Sequence, residues 1–156
     1  MLRDRSLIPL SHQHHNGLAL CVLIGRALGG DDSAEAVAKL ARRAVERYDI
    51  ELVNHFELEE QLLFPAIIEH LGSDTAVSTL IAALIDEHRQ LERIVETLRT
   101  APSAEALIRL SGLLSAHIRR EESELFEDVQ RRLPRETLDL LGAQFEARAV
   151  RVCLQP

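Results

Sequence analysis

At 156 residues the chain is long enough to bury one sizeable core, and a composition that is 46% hydrophobic and 28% charged excludes a disordered segment. The net charge of −7, with arginines mixed among acidic residues rather than gathered into a basic stripe, argues against a nucleic-acid surface. Only 3% of residues are aromatic and none is Trp, so the dominance of Ala, Leu, Glu and Arg favours helices over sheets.

The first predicted helix spans about 9–29 and carries His12, His14 and His15 ahead of an apolar run. "GGDDS" (Gly29 to Ser33) ends it, with Asp32 expected as the next N-cap and Glu35 in the reciprocal position. The second helix, about 33–70, contains "VNHFELEEQLLFP" (Val53 to Pro65), where Pro65 is expected to kink the helix or start a short final turn. Gly72 in "LGSD" stops it, beside His70, which is expected to cap or solvate the helix end. The third, about 75–99, has Leu80, Leu84, Leu91, Val95 and Leu98 at helical spacing and His88 as its one histidine.

"TAPS" (Thr100 to Ser103) introduces the fourth helix, about 103–132, which holds "SAHIRREESELFED" (Ser115 to Asp128). Pro134 ends it, and a shorter fifth helix is expected over about 135–149. Long helices on short loops predict an all-α fold: one domain over 1–156, an up-down-up-down four-helix bundle (about 9–132) with a short C-terminal extra helix. Cys21 and Cys153 stand at opposite ends of the chain, which suits a reducing compartment rather than a disulfide framework. The N-terminus lacks the apolar stretch of a signal peptide, and no window approaches the roughly 18 apolar residues of a membrane span. These features predict a cytoplasmic protein that engages neither nucleic acid nor membrane, with a homodimer open.

The second and fourth helices share one motif, H-x-x-x-E-E-x-x-L-F: His55, Glu59, Glu60, Leu63 and Phe64 align with His117, Glu121, Glu122, Leu125 and Phe126. Residues four apart lie on one helix face, separated by about 6 Å of rise, so each His–Glu pair points at one spot. Their neighbours are apolar: Leu52, Leu58 and Leu62 around the first pair, Leu113, Leu114 and Ile118 around the second. Burying imidazoles and carboxylates there costs several kcal/mol unless they are paired or bind metal. One His-x-x-x-Glu is ordinarily a surface pair. Two copies, joined by histidines on the first and third helices, make a ligand set for two first-row ions, Fe, Mn or Zn, without thiolate.

On the first helix two analogies compete. His14 follows Gln13 as His88 follows Glu87, whereas His15 stands three residues before Leu18 as His88 stands three before Leu91. His14 is the first choice and His15 the rival; His12 is expected at the surface. Glu60 and Glu122 fall about 100° further round and are expected to support the ligands or face solvent, with substitution for Glu59 and Glu121 as the alternative. Glu92, one turn after His88, is expected in solvent. Tyr48, Cys21, Phe56, Phe64 and Phe126 are expected to pack, and the phenylalanines also to wall the pocket from water.

The motifs "HQHH", "HFELEEQLLFP", "EHRQL" and "HIRREESELF", in that order over about residues 7–130, resemble the hemerythrin-like, HHE cation-binding proteins. The resemblance implies a four-helix bundle holding two Fe ions, bridged by carboxylates and an oxo or hydroxo group. His14 (or His15), His55, Glu59, His88, His117 and Glu121 are the ligands it implies. It further implies binding of O2 or a related small oxidant, NO or peroxide, for sensing, storage or detoxification, by a binding protein rather than an enzyme. Oxygen carriers of the family have two histidines one turn apart on the third helix, where this chain has Leu84, His88 and Glu92. Their fourth helix has Asp five residues after its His, where this chain has Glu121 after four and Glu122 after five. A ferritin-like diiron oxidase and a metal-free phosphotransfer or partner-binding module are the alternatives.

Overall fold

The computed structural model describes residues 2–150, all of its regular structure helical; Cys153 lies outside the described residues. A single 3-10 turn, Arg5–Leu7, opens the chain, with the Asp4 carboxylate accepting from the Ser6 N–H at 3.0 Å. Helix α1 (Ile8–Gly30) follows, with Pro9 in its first turn, where a missing N–H has no helical partner to lose. Helix α2 (Ala34–Arg47) is capped by Ser33, whose hydroxyl accepts from the Ala36 N–H at 3.3 Å. Asp32, the expected cap, plays no such part. The helix starts one residue later, and Asp31 holds the Ser33 N–H at 2.9 Å instead.

The chain then stays helical to Leu71 but changes its winding twice. A π segment, Tyr48–Leu52, leads into α3 (Val53–Leu58), and a second, Glu59–Leu63, leads into α4 (Phe64–Leu71), which Pro65 opens. Helix α5 (Thr75–Thr100) is capped by Asp74 and α6 (Ala104–Arg120) by Ser103, each through a side-chain oxygen that accepts a backbone N–H of the first turn. A third π segment, Glu121–Leu125, joins α6 to α7 (Phe126–Arg132), and α8 (Arg135–Arg148) completes the described chain.

Helix α1 packs against α2 and α6, and α5 packs against α2, α4 and α6. Two apolar clusters form along this bundle. One gathers Leu20, Ile24, Leu40, Leu52, Leu91 and Leu114; the other gathers Leu10, Leu58, Ile67, Leu84 and Phe126. Each such fully buried side chain contributes about 1.5–3 kcal/mol. On every helix that crosses between them, the histidine or glutamate of the motifs falls at the boundary. A polar layer is thus closed off by apolar packing above and below.

Helix α8 belongs to the second cluster through Leu138, Leu141 and Phe145. It lies so close to the N-terminal turn that a Cβ on Gly142 would stand 2.8 Å from Ser6 Cα. The C-terminal helix therefore lies against the N-terminal turn and α1. No helix among the described residues is long and apolar enough to cross a membrane.

Candidate metal centre

Four helical stretches each send one histidine into the polar layer: His14 from α1, His55 from α3, His88 from α5 and His117 from α6. Glu59 and Glu121 join them, each the first residue of a π segment. All six are at most 2% exposed. Their donor atoms form two groups, His14–His55–Glu59–Glu121 and Glu59–His88–His117–Glu121, within each of which the atoms lie no more than 4.8 Å apart. Both glutamates belong to both groups.

The π winding makes this possible. In each segment the bond closes one residue late, from Phe64 N–H to the Glu59 carbonyl and from Phe126 N–H to the Glu121 carbonyl. The widened turn lets consecutive glutamates serve different tasks, a recurring use of single π turns at functional sites. Glu59 and Glu121 face the centre. Glu60 reaches His88 Nδ1 at 2.8 Å, and Glu122 reaches His14 Nδ1 at 2.7 Å.

Every histidine of the layer has its Nδ1 against an oxygen. Besides Glu60 and Glu122, Glu87 lies 2.8 Å from His117 Nδ1 and the Gln13 Oε1 lies 3.1 Å from His55 Nδ1. The Gln13 amide is oriented by its Nε2, which donates to Asn54 Oδ1 at 2.9 Å. These oxygens accept, so the ring protons sit on Nδ1 and the four Nε2 lone pairs point inward. At the centre, His88 Nε2 and His117 Nε2 are 3.2 Å apart, His14 Nε2 is 3.1 Å from Glu121 and His55 Nε2 is 3.3 Å from Glu59.

The result is a buried set of acceptors facing acceptors. Both oxygens of Glu59 and of Glu121, with Nε2 of His14 and of His55, have no hydrogen-bond partner despite full burial. Without a cation the layer is electrostatically costly. Burial and then the Glu121 charge push the Glu59 carboxyl well above the usual range. Burial and the neighbouring imidazoles hold His55 well below its usual value, and burial with His117 brings His88 down to about 4. At His14 burial also acts downward, but Glu121 and Glu122 outweigh it and the net shift is upward. Positive charge is what this donor set lacks, and its imidazole and carboxylate chemistry fits first-row divalent or trivalent ions.

The family model of the hemerythrin HHE cation binding domain matches residues 8–129, which takes in all six residues of the layer. The chain belongs to the hemerythrin HHE cation-binding family. A DNA nickase of Nostoc sp. (strain PCC 7120 / SAG 25.82 / UTEX 2576) is 28% identical over 102 residues, covering 62% of this chain and 28% of that protein. The chain thus spans under a third of that relative's length. No solved structure matches it.

The hemerythrin domain keeps His15 out of the cluster. One residue past His14 on α1, it lies about 100° further round, exposed, and lines an open cleft with His12, Gln13 and Asn16. Glu92 is exposed and Leu84 is packed in the second apolar cluster, so α5 brings His88 alone. His70, in the last turn of α4, is exposed and meets the Thr137 hydroxyl at 3.0 Å. Tyr48 packs edge-on against Phe56 and is pushed up to about 12 by burial; Cys21 is a buried free thiol.

Aromatic rings close the layer. Phe56 stacks on His88 at 3.9 Å between centroids, Phe64 lies parallel to the same ring at 5.9 Å, and Phe126 stacks on His14 at 5.2 Å. Gln13 and Glu87, which hold His55 and His117, have no role in the sequence reading. Their signal was present: each immediately precedes a histidine of the layer in the repeated pattern.

Proposed function

We propose that this protein binds two iron ions and through them O2 or a related small oxidant, NO or peroxide, for sensing, storage or detoxification. The observation that carries the reading is the buried layer of inward-facing lone pairs and carboxylates with no donor among them. His14 and His55 would hold one ion, His88 and His117 the other, and Glu59 and Glu121 would span both. Each group would offer an ion four protein donors, fewer than the six an octahedral first-row ion takes. Bound iron supplies a pair of one-electron centres for reduction of such an oxidant. Manganese or zinc suits the same donors, without that redox range in the case of zinc.

The chain's own residues do the rest. Glu60, Glu87, Glu122 and Gln13 fix the tautomer and aim of each ring. Phe56, Phe64 and Phe126 wall the layer from bulk water. The free thiol of Cys21 suits a reducing, cytoplasmic setting. The net charge of −7 argues against a nucleic-acid surface.

The alternatives fare worse. A ferritin-like oxidase wants a carboxylate three residues before the histidine, where buried Leu52 and Leu114 stand. A phosphotransfer module would use one exposed histidine, such as His12, His15 or His70, and has no use for two buried His–Glu pairs. The deciding experiment loads the metal-free protein with Fe(II) under anaerobic conditions, counts the metal and records the optical spectrum before and after O2. Two irons per chain and a new visible absorption on adding O2 support the proposal. A chain that takes up no iron, or whose spectrum ignores O2, NO and peroxide alike, overturns it.

A further inference from the structure

The two halves of the centre are related by the internal repeat and differ at one outer position. Gln13 precedes His14 as Glu87 precedes His88, and each reaches across to the histidine of another helix. Gln13 Oε1 takes the His55 Nδ1 proton at 3.1 Å, and Glu87 Oε2 takes the His117 Nδ1 proton at 2.8 Å. The other outer contacts are matched: Glu122 on His14 at 2.7 Å and Glu60 on His88 at 2.8 Å. One layer further out, Glu122 pairs with Arg3 at 2.6 Å, Glu87 with Arg120 at 2.6 Å, and Glu60 with Arg89. Gln13 instead meets an amide, Asn54, whose Oδ1 also accepts from the Val150 N–H at 2.9 Å.

We propose that Gln13 makes the two metal positions unequal: the position of His88 and His117 fills first and holds its ion more tightly, and the position of His14 and His55 is the exchangeable one. The inference rests on the two-metal reading above. A carboxylate accepting Nδ1–H forms a charge-assisted bond and makes the opposite nitrogen a stronger base; a neutral amide does this less. The His88–His117 pair has two such carboxylates, the His14–His55 pair one. Nothing else in the inner set discriminates, because each position has two imidazoles and the same two shared glutamates. Outer partners of this kind change metal affinity by about 10–100-fold.

One further observation runs the same way. His88 is sandwiched between Phe56 and Phe64, while His14 has Phe126 alone as a parallel neighbour.

The test titrates the metal-free full chain with Co(II), followed by calorimetry and the optical spectrum, and locates cobalt by anomalous diffraction in crystals given one equivalent. Two binding steps are expected, with the anomalous peak at one equivalent concentrated between His88 and His117. Glu87→Gln should weaken the first step about tenfold or more and draw the two steps together. Gln13→Glu should strengthen the second; if that variant fails to fold beside Asn54, Glu87→Gln decides alone. Equal occupancy at one equivalent, earlier filling of the His14–His55 position, or an unchanged gap between the steps in Glu87→Gln overturns the proposal while leaving the two-metal reading intact. Binding of no metal at all overturns both.

Discussion

The Nε2 atoms of His88 and His117 stand 3.2 Å apart although both ring protons are held on the opposite nitrogens by Glu60 and Glu87. Two lone pairs at that distance repel unless positive charge lies between them. Metal binding should therefore stabilise the fold as well as fill the site. At a free metal concentration of about a thousand times Kd the gain is about 4 kcal/mol, or on the order of 10 °C in Tm. Thermal unfolding with added Co(II) and with excess chelator measures it, and coincident curves would contradict the arrangement.

Glu59 gives the metal-free protein a pH dependence that can be isolated. Its folded value is raised by burial and then by Glu121, so its contribution is fully present below the ordinary carboxylate range and is lost as pH rises through the raised value. Glu59→Gln removes that loss. The margin by which the variant exceeds the parent in urea unfolding should be larger at pH 8 than at pH 5, while its metal binding disappears. A constant margin would show that Glu59 ionises normally.

Two glycine substitutions should act in opposite directions. Gly142→Ala sets a methyl group 2.8 Å from the Ser6 backbone and should cost about 1–3 kcal/mol by prising α8 from the N-terminal turn. Gly112→Ala, on an exposed face of α6 with nothing within 4 Å, should add about 0.4–1 kcal/mol. Denaturant midpoints compare them directly.

Asp4 ties both ends of the chain together, accepting from the Ser6 N–H at 3.0 Å and from Arg135 at 2.6 Å. The Arg135 guanidinium, working against partial burial, and the Ser6 contacts hold its carboxyl well below the usual range. A lowered folded value gives stability that is present above the ordinary carboxylate range and lost as pH falls through the lowered one. Asp4→Ala should lose about 1 kcal/mol at neutral pH, and the deficit should shrink under acid conditions. Urea unfolding at both pH values checks the sign.

The helical class, the central histidines and the paired glutamates were legible because burial imposes a 3.6-residue rhythm that polar intruders break visibly. His14 and His15 were separable only by rotation about the axis of α1, which two sequence analogies set differently. The π segments were not legible. A continuous helical wheel has no place for an extra residue; the support that Glu60 and Glu122 give was legible, but not that His88 and His14 are the histidines they hold. Gln13 and Glu87 escaped because each supports a histidine on another helix, a relation with no spacing along the chain. Ser33 displaced Asp32 as a cap because two adjacent side chains of similar capping strength leave the start of α2 undetermined by one residue.

The arginines that steady the outer carboxylates reach the water boundary: the Arg89 and Arg120 side chains are 48% and 39% exposed, and that of Arg3 is 18% exposed. Dissolved electrolyte weakens pairs at such positions. Ionic strength can thus reach the buried layer through three of its four histidines. The His55 arm, built of amides, is deaf to it.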